Sequence, residues 1–352
     1  MNMQDLTREI WTALDGPDAQ LNALTITGDG ALSSAFPVTD FAGASIAAAA
    51  LSIAELAAET SSKTPSSNAP AVTIDRRLSS FWFGMSIRPR GWTMPPAWDP
   101  IAGDYKTSDG WIRLHTNAPH HRAAAQRVLG PHADKAAMAQ AVAPWRKSDL
   151  ETAIVNEGGC AAEMRSVDDW LAHPQGRAVA AEPLVQSRVH HKTNAAAWTP
   201  QPQRPLKGLR VLDLTRVLAG PVGSRFLAGY GADVVRVDPL DWDEPGVIPE
   251  VTLGKHCARL DLRSADGRRI FEALLSQADV LLHGYRPGAL DGLGYDQAKR
   301  RAIAPALIDV SLCAYGWSGP WAMRRGFDSL LQMSSGIAQA GMNWKKADVP
   351  TP

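Results

Sequence analysis

The chain has 352 residues, with 36 Lys plus Arg against 36 Asp plus Glu, 45% hydrophobic and 20% charged. That length suits roughly two or three domains, and the charge balance excludes a global field that would hold nucleic acid or an anionic membrane. Any polyanion must be met by a local arrangement of groups. Cys160, Cys257 and Cys313 lie far apart, which makes neither a disulfide framework nor a zinc pattern and fits a reducing cytoplasm.

The opening MNMQDLTREIWTALDG carries acids and no apolar run before a cleavage signal, so it is not expected to be a signal peptide. Residues 1 to about 60 are expected to be mainly helical. Their most apolar stretch, FAGASIAAAALSIAELAAE (41–59), holds Ser, Glu and Gly, favouring a packed helix that uses Ala for close approach over a membrane span. A polar Ser/Pro connector follows at 60–70, then a strand-and-loop pattern. GDYKTSDGWIRLHTN (103–117) predicts a hairpin around Ser108-Asp109-Gly110. Helical patterns run from HHRAAAQRVLG to SVDDWLAHPQGRAVAAEPLV, and HHKTNAAAWTPQPQRP (190–205) is a Pro-rich linker. The adjacent His pairs 120/121 and 190/191 suit neither one helix face nor usual zinc spacing and are expected at the surface.

Beyond the linker, strands are predicted at 209–215, 233–238, 258–264, 279–284 and 306–316. A helix is predicted near 221–230, and Ser264 is the expected N-cap of ADGRRIFEALLSQ. Continuous apolar strands alternating with helices predict a parallel sheet covered on both faces. Ligands of such sheets bind at the carboxyl ends of the strands, which directs attention to TRVLAGP, VDPLDWDEPG, HGYRPGAL and AYGWSGPW.

The first of these loops has G-x-x-G and no G-x-G-x-x-G. It reads as a tight turn before a helix, whose N-terminus after Pro221 would offer N–H groups to a phosphate or carboxylate. Asp238 stands where an acid grips a nicotinamide ribose, but without the glycine fingerprint that role is weak. In HGYRPGAL, Arg286 fits either a bidentate phosphate clamp, with Tyr285 stacking on a planar ring, or an arginine bonding nearby carbonyls. Lys255, Arg259 and Arg263 read as a solvated basic face. Asp328 reads as a cap or first-turn acid. There is no G-x-S-x-G, H-E-x-x-H or P-loop.

LKGLRVLDLTRVLAGPVGSRFLAGYGADVVRVD, GKHCARLDLRSADGRRIF, ADVLLHGYRPGALDGLGYD, PALIDVSLCAYGWSGPW and RRGFDSLLQMSSG resemble, in order and spacing, the class III coenzyme A transferases of CaiB/BaiF type. That family includes formyl-CoA and carnitine-CoA transferases and alpha-methylacyl-CoA racemase. The resemblance runs from Leu206 to about Gly341. The preceding half, IAGDYKTSDGWIRLHT onward, resembles the later part of a family member, so the chain looks like a fused, degenerate duplicate. The expected division is 1–70 helical segment, 71–189 smaller α+β region, 190–205 linker and 206–352 Rossmann-like CoA-binding domain, an α/β fold overall.

The resemblance implies CoA as substrate, an acyl-CoA donor, a carboxylic acid acceptor, no metal, no nucleic acid or membrane partner, and a homodimer whose subunits interlock. It places CoA contacts at Val217, Leu218, Ala219, Leu260, Arg263, Gly284, Tyr285, Arg286 and Leu293. Arg325 matches a basic position near the thioester and Asp328 an acid that supports the active site. Many members carry arginine where this chain has Gly292, and some do where it has Pro239. The implied mechanism uses an aspartate nucleophile through a mixed anhydride and an enzyme thioester. That aspartate is expected shortly beyond Pro352; Asp348 is the nearest acid, in a context that does not match. Racemases of the family carry His where this chain has Phe327, which cannot move a proton. The alternatives are a non-catalytic CoA-thioester-binding scaffold, a racemase and a nicotinamide-linked oxidoreductase.

Overall fold

The computed structural model describes residues 1–59, 70–84, 86–190 and 198–351. Its strands are β1 (Leu24–Thr27), β2 (Val72–Asp75), β3 (Gly103–Thr107), β4 (Gly110–Leu114), β5 (Ala161–Glu163), β6 (Arg210–Asp213), β7 (Asp233–Asp238), β8 (His256–Arg259), β9 (Val280–His283) and β10 (Ile308–Ser311). The chain packs as two units, one of Met1–Met94 with Pro183–Leu312, the other of Pro95–Glu182 with Cys313–Pro352.

In the first unit β6 is the centre of an all-parallel sheet of order β10-β9-β6-β7-β8. Successive residues of a strand point to opposite faces, and the sequence supplies an apolar group for each. Val211, Val234 and Val280 face one side, packing with Ala228 of helix Ala219–Gly229 and with Ile53. Leu212 and Leu281 face the other, under Phe271 and Leu275 of helix Ala265–Gln277. Ser264 caps that helix as expected, its Oγ accepting from the Gly267 amide at 3.0 Å. The predicted apolar continuity fails at the edges: all four residues of β8 are exposed, and β8 ends at Arg259 rather than running to 264.

Helix Val38–Glu59 is long and apolar enough to span a bilayer. Here Ala44, Ala47 and Leu51 pack against Met3, Trp11, Val72 and Ile74. β1 lies within the stretch expected to be helical, and pairs in parallel with β2 from Leu24↔Val72.

The second unit carries the predicted hairpin, β3 and β4 antiparallel with Thr107↔Gly110 closing the turn, and β5 on its far side. Ile112, Leu114, Leu150 and Ile154 form its core. Leu330, Met333 and Ala338 pack on Cys160 and Ala162, so a middle stretch and the C-terminal stretch of the chain share this unit. Helix SVDDWLAHPQ breaks before Pro174 into Val167–Ala172 and Pro174–Ala180.

The units divide at 94/95, 182/183 and 312/313, whereas the sequence suggested divisions at 70/71, 189/190 and 205/206. Ile53, packed with Val211 and Val280, joins the N-terminal helix to the sheet. Residues 60–69 of the connector and 191–197 of the linker lie outside the described residues.

Candidate functional site

Strand order reverses about β6, with β7 on one side and β9 on the other, so the carboxyl ends of β6 and β9 flank the switch point where open α/β sheets bind ligands. The base of this region is a buried polar cluster. Asp213, at the end of β6, accepts from the Thr215 amide at 2.8 Å, Thr215 Oγ1 and Ser224 Oγ at 2.5 Å, and Lys255 Nζ at 3.0 Å. Lys255 also donates to the Pro221 carbonyl at 2.9 Å and to Ser224 Oγ at 2.7 Å, with its side chain 0% exposed. It therefore does not belong to a solvated basic face; burial pulls its ammonium below the usual lysine range while Asp213 opposes the shift. Gly220 is required beside this cluster, because a Cβ there would lie 2.4 Å from Thr215 Cβ. Helix Ala219–Gly229 starts two residues before Pro221, earlier than predicted.

Above the cluster, Val217 sits at φ 66°, in the left-handed region that a β-branched residue rarely adopts. Its amide donates to Glu244 Oε1 at 2.8 Å, and Glu244 Oε2 accepts from Arg236 at 2.9 Å. Arg236, 0% exposed, also grips both oxygens of Asp238 at 2.9 and 3.1 Å. The acid at the end of β7 is thus committed to an internal arginine, not presented to a ribose.

Arg216 links the loops after β6, β7 and β9. Its guanidinium donates to the Tyr285 hydroxyl at 2.6 Å and lies 5.0 Å from the Tyr285 ring centroid and 4.8 Å from that of Trp242. Tyr285, expected to stack on a ligand ring, here carries Arg216 on its ring, and burial raises its hydroxyl pKa. Arg216, Trp242 and Glu244 were not singled out from the sequence. The only hint was an arginine and an aromatic falling in loops at strand ends.

The other expected contacts are placed as follows. Leu218 and Ala219 are exposed at the start of helix Ala219–Gly229. The Leu260 amide donates to the Asp238 carbonyl at 2.9 Å just past β8. Arg263 is exposed, its amide bonded to Asp261 Oδ1 at 2.9 Å. Gly284 and Arg286 are exposed in the loop after β9, and Leu293 packs on the core of Leu290 and Tyr295.

Arg325 and Asp328 belong to the second unit. Asp328 opens helix Asp328–Ser334 as a first-turn acid, accepting from Gln332 Nε2 at 2.7 Å, and Arg325 donates to the Gly158 carbonyl at 3.3 Å. Phe327 stacks on the His115 ring at 3.9 Å, with His121 edge-on at 5.6 Å. His121, expected at the surface, is 2% exposed, because the first turn of helix Pro119–Leu129 presents it to this aromatic group. Among the described residues neither of its ring nitrogens has a hydrogen-bond partner. Burial lowers the pKa of His115 to about 4 and of His121 to about 3.

A family model described as CoA-transferase family III matches residues 206–351. An acyl-CoA transferase of Gibberella moniliformis is 28% identical over 256 residues, covering 66% of this chain and 44% of the relative. The succinyl-CoA:glutarate CoA-transferase of Mus musculus is 36% identical over 161 residues, covering 40% and 36%. The acetyl-CoA:oxalate CoA-transferase of Acetobacter aceti is 34% identical over 152 residues, covering 40% and 39%. A CAIB/BAIF family protein from Brucella suis, known by crystal structure, is 34% identical with a TM-score of 0.36, covering 39% of this chain and 40% of that one. The chain spans less than half the length of these relatives. Over residues 206–351, the chain is similar to CoA-transferase family III.

Proposed function

We propose that the protein moves coenzyme A between an acyl-CoA thioester and a carboxylic acid. The observation that carries this is the family match over residues 206–351, the segment whose strand-end loops meet around Arg216, Val217 and Tyr285. CoA contacts are assigned to Val217, Leu218, Ala219, Leu260, Arg263, Gly284, Tyr285, Arg286 and Leu293. The family resemblance gives Arg325 and Asp328 supporting roles at the reacting end.

In the aspartyl route, a carboxylate attacks the thioester carbonyl, expelling CoA thiolate and leaving a mixed anhydride. The thiolate attacks the enzyme carbonyl, releasing the donor acid and forming an enzyme thioester. The acceptor carboxylate repeats both steps in reverse and leaves with CoA. The nucleophilic aspartate is assigned to the segment following position 352. The resemblance further suggests an interlocked homodimer in the cytoplasm, which light scattering and fractionation test.

The direct experiment is intact-protein mass spectrometry of a chain extended past position 352, after incubation with acyl-CoA. A CoA adduct on a carboxylate is expected, and its absence together with absence of CoA exchange would sink the transferase assignment. Asp348→Asn is the internal comparison, since Asp348 is the nearest acid within the chain and is exposed. An adduct that survives this change and maps beyond 352 fits the assignment. One lost with it places the nucleophile inside the chain.

A further inference from the structure

None of the roles assigned above uses Arg216. Its guanidinium is half-buried at the carboxyl end of β6, held by the Tyr285 hydroxyl at 2.6 Å and by the rings of Trp242 and Tyr285 at 4.8 and 5.0 Å. These contacts orient the fork without neutralising it. Among the described residues no carboxylate forms an ion pair with Arg216, although Arg210, Arg225, Arg236 and Arg300 of the same unit each have one. The acids around the switch point are already engaged: Glu244 by Val217 and Arg236, Asp238 by Arg236, and Asp213 by Thr215, Ser224 and Lys255.

Among the described residues the Tyr285 hydroxyl is the one acceptor for Arg216, against five N–H donors on a guanidinium. Its Nε is buried without a partner among the described residues, as is Nε1 of Trp242 beside it. A half-buried cation with unmatched donors is costly to keep. Its position is the switch point of the sheet, where Leu218 on the same loop and Gly284 and Arg286 on the loop after β9 are exposed. The chemistry that completes such a group is an oxyanion, which matches the planar fork with two acceptor oxygens.

We propose that Arg216 is the oxyanion-binding residue of this switch point, with the Tyr285 hydroxyl and the Trp242 ring setting the plane of its fork. The inference rests on the CoA assignment, and the oxyanion is either a phosphate of CoA or the carboxylate of the acid substrate. Isothermal titration of the full chain with CoA, with adenosine 3′,5′-bisphosphate, and with succinate in the presence of CoA separates these sources. Arg216→Met weakens binding of the matching probes at least about tenfold, as loss of a charge-assisted hydrogen bond does. Arg216→Lys, which keeps charge without the fork, falls between, and Tyr285→Phe costs about threefold.

Parallel losses for CoA and the bisphosphate assign a phosphate; a loss confined to succinate assigns the carboxylate. Wild-type affinity for all three probes in Arg216→Met and Arg216→Lys, each melting as wild type, overturns the inference while leaving the CoA assignment standing. Should Arg216→Met fail to fold, wild-type binding by Arg216→Lys and Tyr285→Phe overturns it equally. A wild-type chain that binds no CoA overturns both.

Discussion

Val217 donates its amide to Glu244 across two loops, and the same bond holds Val217 at φ 66°. A left-handed backbone costs an L-residue about 1–2 kcal/mol, so this conformation persists because its surroundings enforce it. Glu244 is the enforcing group, and Arg236, 0% exposed, fixes Glu244 in turn. Glu244→Ala leaves both the Val217 amide and part of the Arg236 charge unmatched, and is expected to lower stability by about 3 kcal/mol in urea denaturation. Val217→Gly removes only the strain and the side chain, and is expected to stay within about 1 kcal/mol of wild type. Equal losses in the two variants would show that side-chain packing, not the Glu244 bond, holds the loop.

The Lys255–Asp213 pair has both side chains 0% exposed. Lys255→Met deprives Asp213 of its cation and is expected to cost about 3–5 kcal/mol. Adding Asp213→Asn should recover part of that loss, because the unmatched charge is then gone. Chemical denaturation of the two singles and the double measures the coupling; strict additivity would mean that the hydroxyls of Thr215 and Ser224 satisfy Asp213 without the lysine.

Local signals in the sequence carried over to the structure, and long-range pairings did not. Ser264 three residues before Gly267 is enough to write a helix cap, and Ser108-Asp109 between two alternating runs is enough to write the hairpin. The parallel sheet follows from Val and Leu filling both faces of β6, β7 and β9. Lys255, by contrast, is spaced with Arg259 and Arg263 like a surface stripe, and its partner lies 42 residues away. Tyr285 is 69 residues from Arg216, and the two meet only because β9 pairs with β6. His121 reads as solvated because its apolar neighbour, Phe327, is far more remote in sequence than either of these pairs.

His115 and His121 make the second unit acid-sensitive. Burial lowers their folded pKa values to about 4 and about 3 from the ordinary 6.5; the titratable and charged groups facing them are Arg113 for His115, and His120, His115 and Arg325 for His121. The unfolded chain therefore binds protons first as pH falls below about 6.5, and folding stability is full above that value. It declines toward pH 4, by at most about 1.4 kcal/mol for each pH unit per histidine. His121→Phe keeps the aromatic packing and removes one titration, so its stability should fall less steeply between pH 6.5 and 4. A slope unchanged from wild type in a series of urea melts would refute this origin of the acid sensitivity.

Gly292 offers a gain rather than a loss. It is exposed, and a Cβ built there meets no atom within 4 Å. Its φ lies outside the left-handed region, unlike that of Gly294 at φ 83°. A side chain can therefore be added without strain, and stability should stay within about 0.5 kcal/mol of wild type. The resemblance puts an arginine here in many members, and Gly292→Arg places a cation on the 3-10 turn Asp291–Leu293, next to the proposed CoA contact Leu293. Titration with CoA should show tighter binding, and the gain should shrink as salt is raised, because an exposed cation–phosphate contact is screened. Unchanged affinity at low salt would mean that this turn does not reach the bound ligand, and would remove Leu293 from the contact set as well.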